Sequence, residues 1–195
     1  MLFQRKDNPE HYGSNSYVFV ERLIKSSKDI RIISPYIDSY YANFIVRNAK
    51  GKNIRIISSA ISKDAKKKLS KMSFGKFLAF GFLLVLFNYL AEYFAKPLQF
   101  GVALATLFAF FAYLLVYFTD LSAKKGIAVK VPKEFVHAKL YIGEAEALEG
   151  SANLTFSGMH KNIEQLRLVK SEEEIQALKA EFDRLWKKLE DAKAS

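Results

Sequence analysis

Cysteine is absent from this chain of 195 residues, and histidine occurs only three times. Without cysteine there is no disulfide framework and no thiolate metal site, which is compatible with a reducing compartment. No carboxylate cluster or histidine pair has the spacing of metal ligands. We therefore expect neither a bound metal nor a cofactor.

Acidic residues are in the minority, because 20 Asp and Glu stand against 30 Lys and Arg, a formal net charge of +10. Such an excess favours solubility, and it also favours polyanionic partners such as nucleic acid or anionic lipid headgroups. Residues 1–7 lack the apolar run of a secretory signal, so none is expected there. The length is typical of one domain with an insertion.

Charge is missing altogether from two stretches in the middle of the chain, residues 77–91 and 98–119. As a helix, the second stretch reaches about 33 Å, enough to span the core of a bilayer. The first reaches a similar length only if it extends to Phe94 and keeps Glu92 near the far interface. We predict a transmembrane helical hairpin over about residues 77–94 and 98–119, with a turn at Ala95–Pro97. Tyrosines near the segment ends, typical of interfacial positions, are Tyr89, Tyr93, Tyr113 and Tyr117.

A buried hairpin inside a soluble protein is the alternative, but the rest of the chain is too small to cover two helices that are apolar on every side. Lysines are frequent on the flanks, in residues 63–76 and at Lys124 and Lys125, whereas the predicted turn has one. The positive-inside rule then places both remaining parts of the chain in the cytoplasm. The run of lysines over residues 63–76 is either a solvated helix face or a contact with lipid headgroups.

The segment before the insertion predicts a βαβ unit. Ser16 is a candidate cap for a helix from Tyr17 to about Ser26, and residues 29–33 are β-branched and apolar like a buried strand. Asp38 is a candidate cap for a second helix that stops near Gly51, before another strand at residues 53–58. A strand, a helix and a strand in about 30 residues favour an α/β fold with a mainly parallel sheet.

The segment after the insertion predicts further strands and a final helix. Strands are expected at residues 126–131, after His137, after a turn at residues 143–146, and at residues 163–170, and residues 155–161 form a short helix or turn. Ser171–Glu174 has the pattern of a capping box. The helix that follows most simply packs on the sheet, with a partner-binding role as the alternative. Its apolar face is Ile175, Leu178, Phe182, Leu185, Trp186 and Leu189.

Four side chains of this last segment predict a site. His137 and Lys139 are two residues apart, as are Ser151 and Asn153, so each pair points to one side of an extended strand. An imidazole, a cation, a hydroxyl and an amide would converge there. Lys139, Ser151 and Asn153 could bind a phosphate while His137 performs nucleophilic or acid–base chemistry.

This pattern resembles the signature of the phospholipase D superfamily, H-x-K-x4-D followed by G-S and an Asn. Here it reads His137-x-Lys139-x4-Glu144, then Gly150-Ser151-x-Asn153. The acid is Glu144 instead of Asp, and the gap to Gly150 is one residue shorter than is common. In relatives that acid is mainly structural, and a later Glu, here Glu164, hydrogen-bonds the histidine.

The resemblance implies a phospholipase D-like mixed sheet flanked by helices, built from residues 1–62 and 126–195 around an insertion at residues 63–125. It also implies a homodimer, since relatives with a single motif pair two copies at one site. One His137 would form a phosphohistidine and the other would act as acid and base. Lys139, Ser151 and Asn153 would hold the phosphate, and Glu164 would orient His137.

Three functions are compatible with these features. The first is a membrane phosphodiesterase or phosphatidyltransferase acting on phospholipids of the bilayer. The second is a membrane-tethered endonuclease that cleaves single-stranded nucleic acid by the same mechanism. The third, an inactive lipid-binding scaffold, is disfavoured because the motif residues are intact. Of the other histidines, His160 is expected at the surface, with a substrate contact as the alternative, and His11 has no assigned role.

Overall fold

The computed structural model describes residues 10–70, 74–91 and 96–194. The chain divides into two compact units. Met1–Leu69 and Gly126–Ser195 form an α/β unit, and Ser70–Lys125 form a helical unit. Each is described by itself below.

The α/β unit is built on a mixed sheet with the order β1-β9-β8-β7-β2-β4-β6. β4 is parallel to both β2 and β6, and the other neighbours are antiparallel. β3 and β5 form a separate parallel pair. The predicted βαβ unit is confirmed, but the expectation of a mainly parallel sheet is wrong, because the strands that the second half of the chain adds beside β2 are antiparallel. The strands of the described residues are β1 (Glu10–Gly13), β2 (Asp29–Ile33), β3 (Tyr36–Ile37), β4 (Asn53–Ile57), β5 (Ala60–Ile61), β6 (Ile127–Lys130), β7 (Leu140–Ile142), β8 (Ala147–Gly150) and β9 (Glu164–Val169).

Helices cover both faces of this sheet, because its strands are apolar on both sides. α1, α2 and α3 contribute to one core, in which Leu23, Tyr41 and Ala65 pack with Ile32 and Ile56. α7 contributes Ile175 and Phe182 to a second core with Ile33, Ile57 and Val169. The prediction that the last helix packs on the sheet is thus confirmed. The helices of this unit are α1 (Tyr17–Ser26), α2 (Ser39–Arg47), α3 (Lys63–Leu69), α6 (Phe156–His160) and α7 (Glu172–Ala194).

The two predicted caps have different outcomes. Asp38 caps α2, since its carboxylate accepts a hydrogen bond of 3.0 Å from the Tyr41 N–H. Ser16 does not cap α1 with its side chain, so that prediction is wrong. Its backbone is already helical, with φ −54° and ψ −27°, whereas a capping side chain needs an extended backbone. The Ser16 carbonyl instead accepts from the Val20 N–H at 3.2 Å.

The helical unit contains α4 (Phe74–Ala91) and α5 (Lys96–Lys124), which contact each other through the rings of Phe80 and Tyr113 at 4.1 Å between centroids. Among the described residues one helix, Gln99–Thr119, is long and apolar enough to cross a membrane; its mean hydropathy is 2.1 and none of it is buried. α4 carries a shorter apolar segment, Leu78–Leu90.

The turn predicted at Ala95–Pro97 is wrong at Lys96 and Pro97, because α5 begins at Lys96. Ala95 lies outside the described residues. Glu92 and Phe94 lie outside the described residues. The predicted crossing by two helices and the cytoplasmic orientation therefore stay predictions.

Candidate active site

The predicted site residues meet at one edge of the main sheet. β7 and β9 begin and β8 ends at this edge, because these neighbouring strands are antiparallel. The parallel strands β2 and β4 also end there, since β7 is antiparallel to β2. We call this side of the sheet, where the ends of these strands lie, the site edge. The ends of parallel strands in such sheets are common positions for ligand sites. The residues there are His137 and Lys139 before β7, Ser151 and Asn153 after β8, and Glu164 at the start of β9.

His137 and Lys139 were predicted on a strand, which is wrong, because β7 begins only at Leu140. They lie in the segment that leads into it. Ser151 and Asn153 were also predicted on a strand and lie after β8, which ends at Gly150. The side chains of His137 and Lys139 are nevertheless in contact. Lys139 Nζ lies 3.0 Å from Nε2 and 3.3 Å from Nδ1 of His137, and it donates a hydrogen bond of 2.8 Å to the His137 carbonyl. The cation and the imidazole thus share one site.

The two groups differ in their exposure to solvent. His137 is exposed, whereas Lys139 is only 8 % exposed. Burial lowers the pKa of Lys139, and the negative charge of Glu164 opposes this effect. A buried ammonium group beside an exposed imidazole provides a fixed positive charge next to a nucleophile that solvent and substrate can reach.

Glu164 anchors Ser151. One carboxylate oxygen accepts a hydrogen bond from Ser151 Oγ, and the other accepts one of 3.1 Å from Asn162 Nδ2. The Gln165 N–H also donates to Ser151 Oγ at 3.0 Å. Gly150 allows the close approach of β8 and β9, because a Cβ there would lie 1.9 Å from the Gln165 carbonyl oxygen. Ser151 is therefore held from two directions.

The hydrogen bond from a His137 ring N–H to the Glu164 carboxylate that the resemblance implied is not found among the described residues, so that expectation is wrong for this single chain. Both Glu164 oxygens are engaged by Ser151 and Asn162. Asn153 is half-buried, and its Oδ1 is buried without a hydrogen-bond partner in the described part of the chain. An unpaired buried acceptor is costly, so Asn153 is the site residue with unused hydrogen-bonding capacity.

Several supporting residues were missed from the sequence. The Tyr141 hydroxyl donates to the Ala152 carbonyl at 2.7 Å, which fixes the backbone between Ser151 and Asn153. Ser59 Oγ accepts from the Val136 N–H at 2.7 Å and so holds the residue before His137. Ser34 Oγ accepts from the Leu154 N–H at 2.9 Å. Ser34 directly follows β2 and Ser59 lies just after β4, and a polar residue in such a position is a usable sequence signal.

Glu144 has no part in the site. Its carboxylate accepts hydrogen bonds of 3.0 to 3.1 Å from the backbone N–H groups of Lys28 and Asp29, ahead of β2 and thus at the opposite edge of the sheet. The turn that carries it is closed by a hydrogen bond of 2.9 Å from the Gly143 N–H to the Glu146 carbonyl, as predicted. Glu144 therefore ties the β7–β8 turn to the start of β2.

The expectation that His160 is a surface residue is wrong. Its ring stacks between Tyr17 and Phe156, with centroid distances of 4.3 and 4.6 Å, and its Nε2 lies 3.1 Å from the Tyr41 hydroxyl. These contacts join α6 to α1 and α2. His11 lies in β1, opposite Leu166. Within residues 10–70, 74–91 and 96–194, no three His, Asp or Glu side chains are grouped to hold a metal ion.

Solved structures with a similar fold come from several proteins. The phospholipase D family member Nuc from Salmonella typhimurium is 13 % identical, with a TM-score of 0.56 and 93 % of this chain and 95 % of Nuc covered. NucT from Helicobacter pylori is 14 % identical, with a TM-score of 0.53 and coverages of 93 % and 96 %. Polyphosphate kinase from Porphyromonas gingivalis is 10 % identical, with a TM-score of 0.56. The matched region covers 94 % of this chain and 23 % of that enzyme. At these identities the likeness shows the fold alone.

The family model described as "Cardiolipin synthase, PLD-like domain" matches residues 111–186. That range includes His137, Lys139, Ser151, Asn153 and Glu164. No curated protein matches the chain. The match over the motif, together with the shared fold, supports membership of the phospholipase D superfamily, which indicates phosphodiesterase chemistry.

Proposed function

We propose that the chain is a phosphodiesterase or phosphatidyltransferase that acts on phospholipids with His137 as the nucleophile. The observation that carries the proposal is the contact between the exposed His137 ring and the buried Lys139 ammonium group at the site edge. A fixed cation beside the imidazole stabilises the negative charge that develops on a phosphoryl group during attack. The Asn153 amide nitrogen supplies a further donor, whereas the Ser151 hydroxyl proton is donated to Glu164.

The reaction proceeds in two steps. In the first, a His137 ring nitrogen bonds to phosphorus as the P–O bond to the leaving group breaks, and a second imidazole protonates the leaving oxygen. In the second, that imidazole takes a proton from water or an alcohol, whose oxygen displaces His137 from phosphorus. His160 does not suit the second role, because it is stacked between two rings. We assign that role to His137 of a second copy, in a homodimer.

Mixed dimers test this shared site. Wild-type and His137→Ala chains are combined in known proportions and allowed to exchange. If both imidazoles act in each turnover, activity falls as the square of the wild-type fraction, because mixed dimers are inactive. A linear fall would show that each chain works alone.

Two observations support a lipid substrate. The helix segment Gln99–Thr119 is apolar, unburied and long enough to cross a membrane. The matched family model is named for cardiolipin synthase, an enzyme of phospholipid metabolism. The alternative, a membrane-tethered endonuclease, is favoured by the net charge of +10.

The deciding experiment measures products of the purified full-length protein on vesicles of mixed phospholipids and on single-stranded DNA, with EDTA present. His137→Ala is the matched control for contaminating enzymes. We expect release of a headgroup or its transfer to an added alcohol, unaffected by EDTA. Cleavage of DNA with no turnover of any lipid would establish the endonuclease alternative, and activity that depends on a divalent ion would overturn the proposed mechanism.

A further inference from the structure

Exposed apolar side chains are concentrated at the site edge. Three positions lie in the connections there, after β6, before β7 and before β9, and one lies in β3, just after β2. Four more lie in the first turns of α1, α2 and α6, which begin at the same edge. In the described part of the α/β unit, no large exposed apolar side chain lies at the opposite edge of the sheet. These residues are Tyr17, Val18, Tyr36, Tyr40, Val131, Phe135, Phe156 and Ile163.

Two of these side chains stand next to the nucleophile. The Phe135 ring is 6.1 Å from the His137 ring, and the Tyr36 ring is 5.9 Å from Phe135, measured between centroids. Phe135 is 56 % exposed and Tyr36 is 46 % exposed, so both offer ring surface to a ligand. We call this pair the aromatic platform.

The backbone of the platform is tied to the same short segment that positions His137. Tyr36 pairs with Ala60 in the small sheet of β3 and β5. The neighbouring residue, Ser59, accepts the hydrogen bond from the Val136 N–H, between Phe135 and His137. Two aromatic side chains are thus kept exposed on a backbone that is fixed, although burying each ring would be favourable.

We propose that the aromatic platform binds the acyl-glycerol part of the phospholipid whose phosphorus His137 attacks; this inference rests on the proposed function. The group attached to a scissile phosphate must lie within a few ångströms of the nucleophile, where the platform stands. Acyl chains would bury the exposed ring surface of Tyr36 and Phe135, which is favourable for apolar groups. Nucleobases also stack on aromatic rings, and activity on single-stranded DNA separates the two ligands.

The test compares Tyr36→Ser, Phe135→Ser and the double variant with wild type on two substrates. One is a phospholipid with two long acyl chains in mixed micelles, and the other is the corresponding glycerophosphodiester without acyl chains. We expect kcat/KM on the diacyl substrate to fall roughly tenfold for each ring removed. The value on the deacylated substrate should change by less than about threefold, because His137 and Lys139 are unaltered. Val18→Ser, at another exposed apolar position, is the matched control and should behave as wild type.

Each other outcome has a distinct meaning. Equal losses on both substrates would show that the rings position His137 and bind no lipid, and unchanged kinetics would exclude any role in binding. A variant that becomes monomeric by light scattering would identify the platform as a contact between copies. All three overturn the inference while lipid turnover by wild type upholds the proposed function. If wild type cleaves single-stranded DNA and no lipid, and the variants lose that activity, both proposals fail.

Discussion

The α/β unit and the helical unit place similar apolar residues in opposite surroundings. α1 buries Val20, Leu23 and Ile24 completely and leaves Arg22 and Lys25 exposed. In α5, Gln99–Thr119 is more apolar than α1, yet none of it is buried. A stripe of apolar residues needs a sheet to cover it, whereas a helix that is apolar all round needs a protein of large size or a membrane.

This contrast suggests that the two units have different functions. In the α/β unit, the site edge carries the side chains of the motif, His137, Lys139, Ser151, Asn153 and Glu164. The described residues of α4 and α5 present apolar surface and few charges.

His137→Asn should reduce kcat by at least about 10³-fold, because an amide cannot act as nucleophile or proton carrier. The melting temperature should stay unchanged, since His137 is exposed and contributes little to the core. Steady-state kinetics and calorimetry on the same preparation measure both. Retention of more than a few per cent of the activity would contradict the assignment of His137.

Phe108→Lys, near the centre of the apolar segment of α5, should disfavour insertion of that helix into a membrane by about 3 kcal/mol. The fraction of chains with α5 inserted is measured in a cell-free assay with microsomes. Val18→Lys places the same charge at an exposed apolar position of α1 and should leave insertion unchanged. If the two variants behave alike, Gln99–Thr119 is not a membrane helix.

Local features of the fold could be predicted from the sequence. The bounds of α1, the cap of α2 by Asp38 and the turn at Gly143 depend on residues within a few positions of each other. His137 and Lys139, which contact each other, are also only two residues apart. Caps, turns and periodicity are determined over such short separations, so the sequence pattern carries them.

The supports of the site could not be predicted in this way. Ser59 and Val136 are 77 residues apart, and Ser34 and Leu154 are 120 apart. Hydrogen bonds between such distant residues depend on the strand order of the folded sheet. The same reason explains the contact between Glu164 and Ser151, which the pairing of β8 with β9 brings together.

Tyr141→Phe should lower the free energy of unfolding by about 1 to 2 kcal/mol, because the buried Ala152 carbonyl loses its donor. We expect kcat to fall by less than about tenfold, as the segment from Ser151 to Asn153 becomes less fixed. Urea denaturation and kinetics measure the two effects. Tyr40→Phe removes an exposed hydroxyl and is the control. A stability loss no larger than in that control would show that the hydrogen bond is dispensable.

The smallest effect is expected for Glu144→Gln, at the opposite edge of the sheet. Glutamine keeps one oxygen acceptor for the N–H groups of Lys28 and Asp29 but loses the negative charge that strengthens both hydrogen bonds. The free energy of unfolding should therefore decrease by about 1 kcal/mol. Glu146→Gln, in the same turn, breaks an ion pair with the exposed Arg22 and should cost no more than about 0.5 kcal/mol. Neither change should alter kcat or KM, because neither side chain reaches the site edge. A fall in kcat for Glu144→Gln as large as that for Tyr141→Phe would show that the acid of the motif acts on the chemistry and is more than a structural support.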